Sequence, residues 1–256
     1  MFTQAASAIQ LIPHRVVYEL KLKNASERSG VTALAGRMVY EFTGSECDGY
    51  TVNFRSVSEI YAGDTARISD QQASFYESAE DESFSFMNRS YLDEKLDTEV
   101  SGRANTEDDE LVVSYKKPDQ DNIHLPKSQF PTANLIDLIE RAKSGERIYE
   151  ARIFDGSDGG NKSLITTTII GEFEEPDSLD DDEIKIIGEE GEAGYWPVSI
   201  SYFEEGENGD TLPVYRFAFK LHENGVSRDL TLDHGYLVID GKVSDFEILD
   251  EDEPCR

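Results

Sequence analysis

Two cysteines are the residues of this 256-residue chain best suited to covalent chemistry: Cys47 in its first quarter and Cys255 one residue from its end. They could be free thiols or a single disulfide. A free thiol at position 255, in the acidic run Asp250-Glu251-Asp252-Glu253-Pro254, would be open to oxidation. A Cys47–Cys255 bond would tie the tail to the front of the chain, with an entropic gain of at most about 5 kcal/mol. It would also imply an oxidising compartment. The bond is the expectation taken forward. Cys47 as a catalytic nucleophile would need a neighbouring base, and no local motif supplies one.

Other candidate chemistry is sparse. His14, His124, His222 and His234 are scattered without metal-ligand spacing, and two cysteines are too few for a local cysteine-based zinc site. There is no nucleophile elbow and no phosphate-binding glycine loop. Asp155-Gly156-Ser157-Asp158-Gly159-Gly160 invites a metal or phosphate reading, but Asp and Gly at this density favour a tight turn after a strand ending at Phe154. The run Asp177–Glu183 lacks the central glycine of a calcium loop and reads as solvated. Trp196-Pro197 opens a strand pattern, where the indole is either a core residue or a stacking platform for a ligand. A glycan hydrolase would need two facing carboxylates, and no spacing singles out a pair. No catalytic residue, metal site or cofactor is predicted.

The elements that would position these residues are mostly strands. Apolar residues alternate in Tyr18/Leu20/Leu22, Met38/Tyr40/Phe42, Tyr50/Val52/Phe54, Leu111/Val113/Tyr115, Val198/Ile200/Tyr202 and Tyr215/Phe217/Phe219/Leu221. Asn224-Gly225 and Asp240-Gly241 suit tight hairpin turns, so the C-terminal third reads as an antiparallel meander. One segment departs from period two. Leu135, Leu138, Ile139 and Ala142 form a helical stripe within about 132–144, with Thr132 as N-cap, Arg141 and Lys143 near the C-terminal end, and Gly145 as the stop. The expected organisation is a loosely held arm (1–12) followed by one all-β domain (13–256) carrying one helix. An acidic insertion loop is expected at about 174–192.

Fifty-three acidic against 24 basic residues give a net charge of −29. Such a field repels phosphate backbones and anionic lipid surfaces, which argues against nucleic-acid binding. No run of apolar residues is long enough for a transmembrane helix, and the N-terminal residues lack the pattern of a signal peptide.

Several stretches, taken in order, resemble one family. They are Pro13–Leu20, Gly36–Phe42, Cys47–Val52, Phe130-Pro131-Thr132, Phe154–Gly159, Trp196–Phe203, Glu223–Arg228 and Cys255. This pattern is similar to the EipB family of cell-envelope integrity proteins, and the likeness runs from about Leu11 onward. The resemblance implies a spiral, broken, half-open antiparallel β-barrel with an associated helix. It also implies export to the periplasm as a mature form without its leader, a disulfide corresponding to Cys47 and Cys255, and no enzymatic activity. On this reading the protein supports envelope integrity by binding a periplasmic protein or a hydrophobic ligand, with Leu135, Leu138, Ile139 and Trp196 as the candidate surface. A lipid or lipoprotein carrier is the alternative, and a glycan hydrolase the third.

Overall fold

The computed structural model describes residues 9–79, 82–176, 181–204 and 212–250. Their first eight strands are β1 (His14–Ala25), β2 (Val31–Ser45), β3 (Gly49–Ala62), β4 (Thr65–Glu77), β5 (Ser83–Leu92), β6 (Lys95–Glu107), β7 (Glu110–Lys117) and β8 (Ile123–Pro126). Helix α1 (Pro131–Ser144) then leads to β9 (Ile148–Ile153) and β10 (Leu164–Ile170). Two short helices, α2 (Asp182–Ile187) and α3 (Glu189–Glu192), precede β11 (Tyr195–Glu204), β12 (Tyr215–His222), β13 (Ser227–Asp233) and β14 (Leu237–Ile248).

All fourteen strands belong to one antiparallel sheet in the order β8-β7-β6-β5-β4-β3-β2-β1-β14-β13-β12-β11-β10-β9. The chain therefore starts in the middle of the sheet and meanders to one edge. It crosses on α1 to the opposite edge and returns until β14 pairs with β1. Among the described residues, the two edges meet at a single parallel bridge between Gln129 and Ile153. There the Gln129 N–H donates to Arg152 O (2.8 Å) and the Phe154 N–H to Gln129 O (2.9 Å). The result is a half-open barrel.

Alternation explains why the sheet curls. Inward side chains of β1, β2 and β10–β14 share a large core with α1, in which Val16, Leu221 and Ile139 have no exposed surface. A second core, built from Phe84, Phe86, Ala104, Leu111, Val113, Phe130 and Phe154, fills the turn of the spiral near β5–β7. Its rings stack (Phe84 on Phe130, 5.1 Å) or meet edge to face (Phe86 with Phe154, 5.6 Å), geometries that suit aromatic quadrupoles.

Four expectations are corrected. Asp240-Gly241 is not a turn; β14 runs straight through it. Gly241 lies between Leu20 of β1 and Leu230 of β13, and a Cβ there would come within 3.2 Å of Leu20. Glycine at 241 thus serves a tight three-strand crossing, and the reversal falls at Gly235 (φ 78°) instead. The stretch 174–192 is not simply a loop, because α2 and α3 occupy its end, so α1 is not the sole helix; residues 177–180 lie outside the described set. Helix α1 begins at Pro131, not Thr132, and its cap residue is Phe130, which offers no side-chain acceptor. Finally, residues 1–8 of the expected arm lie outside the described residues, but its inner end is held: Leu11 is buried, and the Ile12 N–H donates to Asn224 O (3.1 Å).

Candidate functional site

The inward positions of the central strands enclose a cavity of about 390 Å³. Strands β1 and β2 contribute Tyr18, Met38 and Tyr40, and β3 adds Phe54. The opposite wall consists of Ile200 and Tyr202 from β11 with Tyr215, Phe217 and Phe219 from β12; Leu230 and Leu232 of β13 close it. Helix α1 roofs the space with Pro131, Asn134, Leu135 and Leu138. Each strand supplies every second residue to this lumen, and several of the intervening positions (Ser201, Arg216, Thr231) are polar.

Phenols of the wall are held in neutral form. Burial raises the pKa of Tyr18, Tyr40 and Tyr202 far above the physiological range, so these phenols keep their protons. The Tyr18 hydroxyl donates to Ser227 O (2.7 Å), and the Tyr202 and Tyr215 rings stack at 4.1 Å. His14, at the rim, donates from Nδ1 to Ile12 O (2.8 Å), and burial lowers its pKa. Among the described residues Asp155 is the one carboxylate on the wall, and its Oδ1 accepts the Ser157 N–H (2.9 Å). An apolar space of this size, with few convergent polar groups, has the composition of a small-molecule site. Acid–base hydrolysis would need a second facing carboxylate, which the described lining lacks.

The segment Asp155–Gly160 turns as expected, and its glycines have a further purpose. Gly156 (φ 69°) and Gly160 (φ 64°) lie on the Phe86 ring, where a Cβ would stand 2.6 Å and 2.9 Å from ring atoms. Asn88 donates to Gly156 O (2.8 Å) and the Tyr115 hydroxyl to Gly160 O (2.6 Å), so the turn is pinned inside the spiral.

The sequence-predicted residues divide. Leu135 and Leu138 line the cavity. Ile139 lies behind it, fully buried in the core. Trp196 is also buried, packed 4.9 Å from Phe173, and does not reach the cavity wall. Cys47 sits in the β2–β3 turn, where the Ser45 hydroxyl accepts its N–H (3.3 Å); Cys255 lies outside the described residues. Sequence reasoning missed the aromatic wall of Tyr40, Tyr202, Tyr215 and Phe217 as a site. The signal was present as successive aromatics at period two, a pattern that a packed core shares.

Three comparisons bear on this architecture. The model of the family described as EipB-like matches residues 5–250. The cell envelope integrity protein EipB of Brucella abortus (strain 2308) is 41% identical over 247 residues, covering 96% of this chain and 87% of that protein. The crystal structure of a β-barrel-like protein of a domain of unknown function, also from Brucella abortus, superposes with a TM-score of 0.91. It is 40% identical, and the match covers 95% of this chain and all of the other. With the half-open barrel and its helix-roofed lumen in place, sequence and fold agree: this chain belongs to the EipB-like family.

Proposed function

We propose that this protein supports the integrity of the cell envelope from the periplasm, without catalysis, by holding a hydrophobic ligand in the lumen under α1. The observation that carries this reading is the aromatic-lined, largely apolar cavity of about 390 Å³, with a single carboxylate, Asp155, in its described lining. The Brucella relative is named for cell envelope integrity, which supports the setting. No helix among the described residues is long and apolar enough to cross a membrane.

The Cys47–Cys255 bond is part of the proposal. Strands β2 and β14 both pair antiparallel with β1, and Phe42 and Ile248 both face His14, so the two chains leave the sheet at the same end. Cys47 stands roughly 19 Å from Ile248, taking two strand spacings across and five residues along. The seven residues from Ile248 to Cys255 reach about 23 Å when extended, enough to close the bond. There is no free cysteine among the described residues. Protein prepared under oxidising conditions should take up no thiol-alkylating reagent; two equivalents would remove the chemical support for the periplasm.

Native mass spectrometry of protein from its own periplasm tests the binding. A stoichiometric small-molecule adduct, diminished when Phe217→Trp narrows the lumen, is the expected result. A clean apo mass from gently prepared protein refutes it.

A further inference from the structure

The concave face continues past the apolar lumen into a second recess of about 550 Å³, and Phe54 borders both. The change in character occurs at one level of the sheet. On β4, β5 and β6 the inward row Phe75–Phe86–Gly102 belongs to the inner core. The next row, Ala73–Asn88–Val100, is mixed, and the one beyond, Gln71–Ser90–Thr98, is wholly polar. Inward rows normally stay apolar as far as there is a core to face. Here three neighbouring strands switch together to amides and hydroxyls, while the surface remains concave. The recess is open, with Gln71 and Thr98 exposed. The turn at Asp155 joins the two spaces: Asp155 lines the first, and Ser157, Gly159 and Lys162 line the second.

We propose that the lumen takes a single-chain amphiphile with an uncharged, hydrogen-bonding head, its tail beneath α1 and its head in the recess beside Phe54. This rests on the reading of the lumen as a hydrophobic ligand site and names the class of ligand. A purely apolar ligand would leave the polar row without a role, and a two-chain lipid would need more apolar volume than the lumen offers. The charge of the head follows from the wall. Among the described residues Lys162 is the charged side chain at the recess, and it is already paired with Glu204 (2.7 Å). Arg89 borders the recess through its backbone position between inward Asn88 and Ser90, and its guanidinium pairs with Glu99 (2.7 Å) on the other face. A cationic head would meet Lys162, and the carboxylates near the recess are already engaged, Glu204 by Lys162 (2.7 Å) and Asp97 by the Ser90 hydroxyl (3.4 Å). An anionic head would find its counter-ion occupied, with Asp155 beside the tail and the field of a −29 chain against its approach. Amide and hydroxyl groups exchange hydrogen bonds with a neutral head and ask no ion to leave water.

The test uses the full chain and the neutral fluorophore Nile red, displaced at pH 7 by octyl glucoside, octanoate or octylammonium. All three are kept below micelle-forming concentrations, and far-UV circular dichroism confirms that the fold persists. The glucoside should displace the dye at a concentration at least tenfold lower than either ion. The double variant Ser90→Val/Thr98→Val, at one half-buried and one exposed position, should bring the glucoside to within threefold of octanoate. Equal displacement by all three, or tighter binding of an ion, overturns the head assignment and leaves the lumen as a hydrophobic site. If Nile red is neither taken up nor displaced by any of them, the hydrophobic reading of the lumen falls, and this inference with it.

Discussion

Helices α1 and α2 both press against the sheet, but they are fastened by different physics. Helix α1 presents Leu138, Ile139 and Ala142 to the core, all at most 3% exposed. Burying such a stripe is worth about 1.5–3 kcal/mol per large side chain. Helix α2 spans six residues and buries just Ile184 and Ile187 as apolar contacts. Its main attachment is Glu183, whose carboxylate enters the fork where the β13–β14 ladder stops at Leu230–Gly241. Oε1 accepts the Asp229 N–H (3.2 Å) and the Val243 N–H (2.8 Å), standing in for the missing strand partner. Arg228 lies beneath, 1% exposed, between the Tyr195 ring, His222 Nε2 and Asp181. One helix is held by area and the other by directed polar bonds, so they should fail under different insults.

The largest effect should come from Leu138→Asp. It removes a buried leucine and places a carboxylate against the aromatic wall, at a cost of at least about 4 kcal/mol. Urea unfolding should show the midpoint collapsing, and an unchanged midpoint would mean that α1 is not docked by its apolar face. Next is Glu183→Ala, which strips the acceptor from two backbone N–H groups. At about 1–3 kcal/mol for each unsatisfied group, a loss of about 3 kcal/mol is expected, read by the same titration. A loss under 1 kcal/mol would show that water replaces the carboxylate and that α2 is a passive cover.

The same contrast explains what could be read from the sequence. Helix α1 was legible because four apolar residues fall at i, i+3, i+4 and i+7 with Gly145 as a stop (φ 85°). Helix α2 was hidden: Ile184 and Ile187 are too few to show a period, and the surrounding acids imitate a solvated loop. The strands were legible by alternation, except at Asp240-Gly241, where local turn chemistry lost to crowding by Leu20 and Leu230. The cavity was legible only as apolar positions. Whether inward aromatics meet or leave a lumen depends on the curl of fourteen strands, which no local window contains. Leu135 and Leu138 were placed by the stripe, whereas Trp196, open to either a core or a ligand-stacking reading, is a core residue; a strand-opening tryptophan looks the same buried or exposed.

Acid should separate the two fastenings. Burial, reinforced by the Arg228 charge, lowers the pKa of His222 to about 4. Unfolded, the ring takes up a proton near pH 6.5; folded, it stays neutral and accepts from Arg228. Between these values the unfolded chain binds more protons, so stability falls as the pH drops from about 6.5 to 4, with no further loss from this group below that. The full difference is at most about 3 kcal/mol. His222→Gln keeps an acceptor for Arg228 without titrating, so its stability should decline less over this window than that of the parent chain. Parallel pH profiles for the two proteins would show that His222 is not buried against a cation.

The smallest effect tests whether α1 also depends on charge. Glu77 of β4 accepts the N–H groups of Thr132 (2.8 Å) and Ala133 (2.9 Å), supplying from another strand the cap that Phe130 lacks. An anion at a helix N-terminus is ordinarily favourable by up to about 1 kcal/mol, or about 2 in partly buried sites. Burial opposes this and outweighs the two N–H bonds, so the Glu77 pKa is raised. The stability this group contributes by titration is therefore present below the ordinary carboxylate range and lost as the pH rises through it. Glu77→Gln escapes the burial cost of the charge but keeps only one acceptor oxygen for two donors. The opposing effects should leave a net loss of about 1 kcal/mol at pH 7, shrinking toward pH 4 as Glu77 itself becomes neutral. A loss above 3 kcal/mol in the same urea titration would place the anchor of α1 in a carboxylate, as for α2, and the contrast between the helices would dissolve.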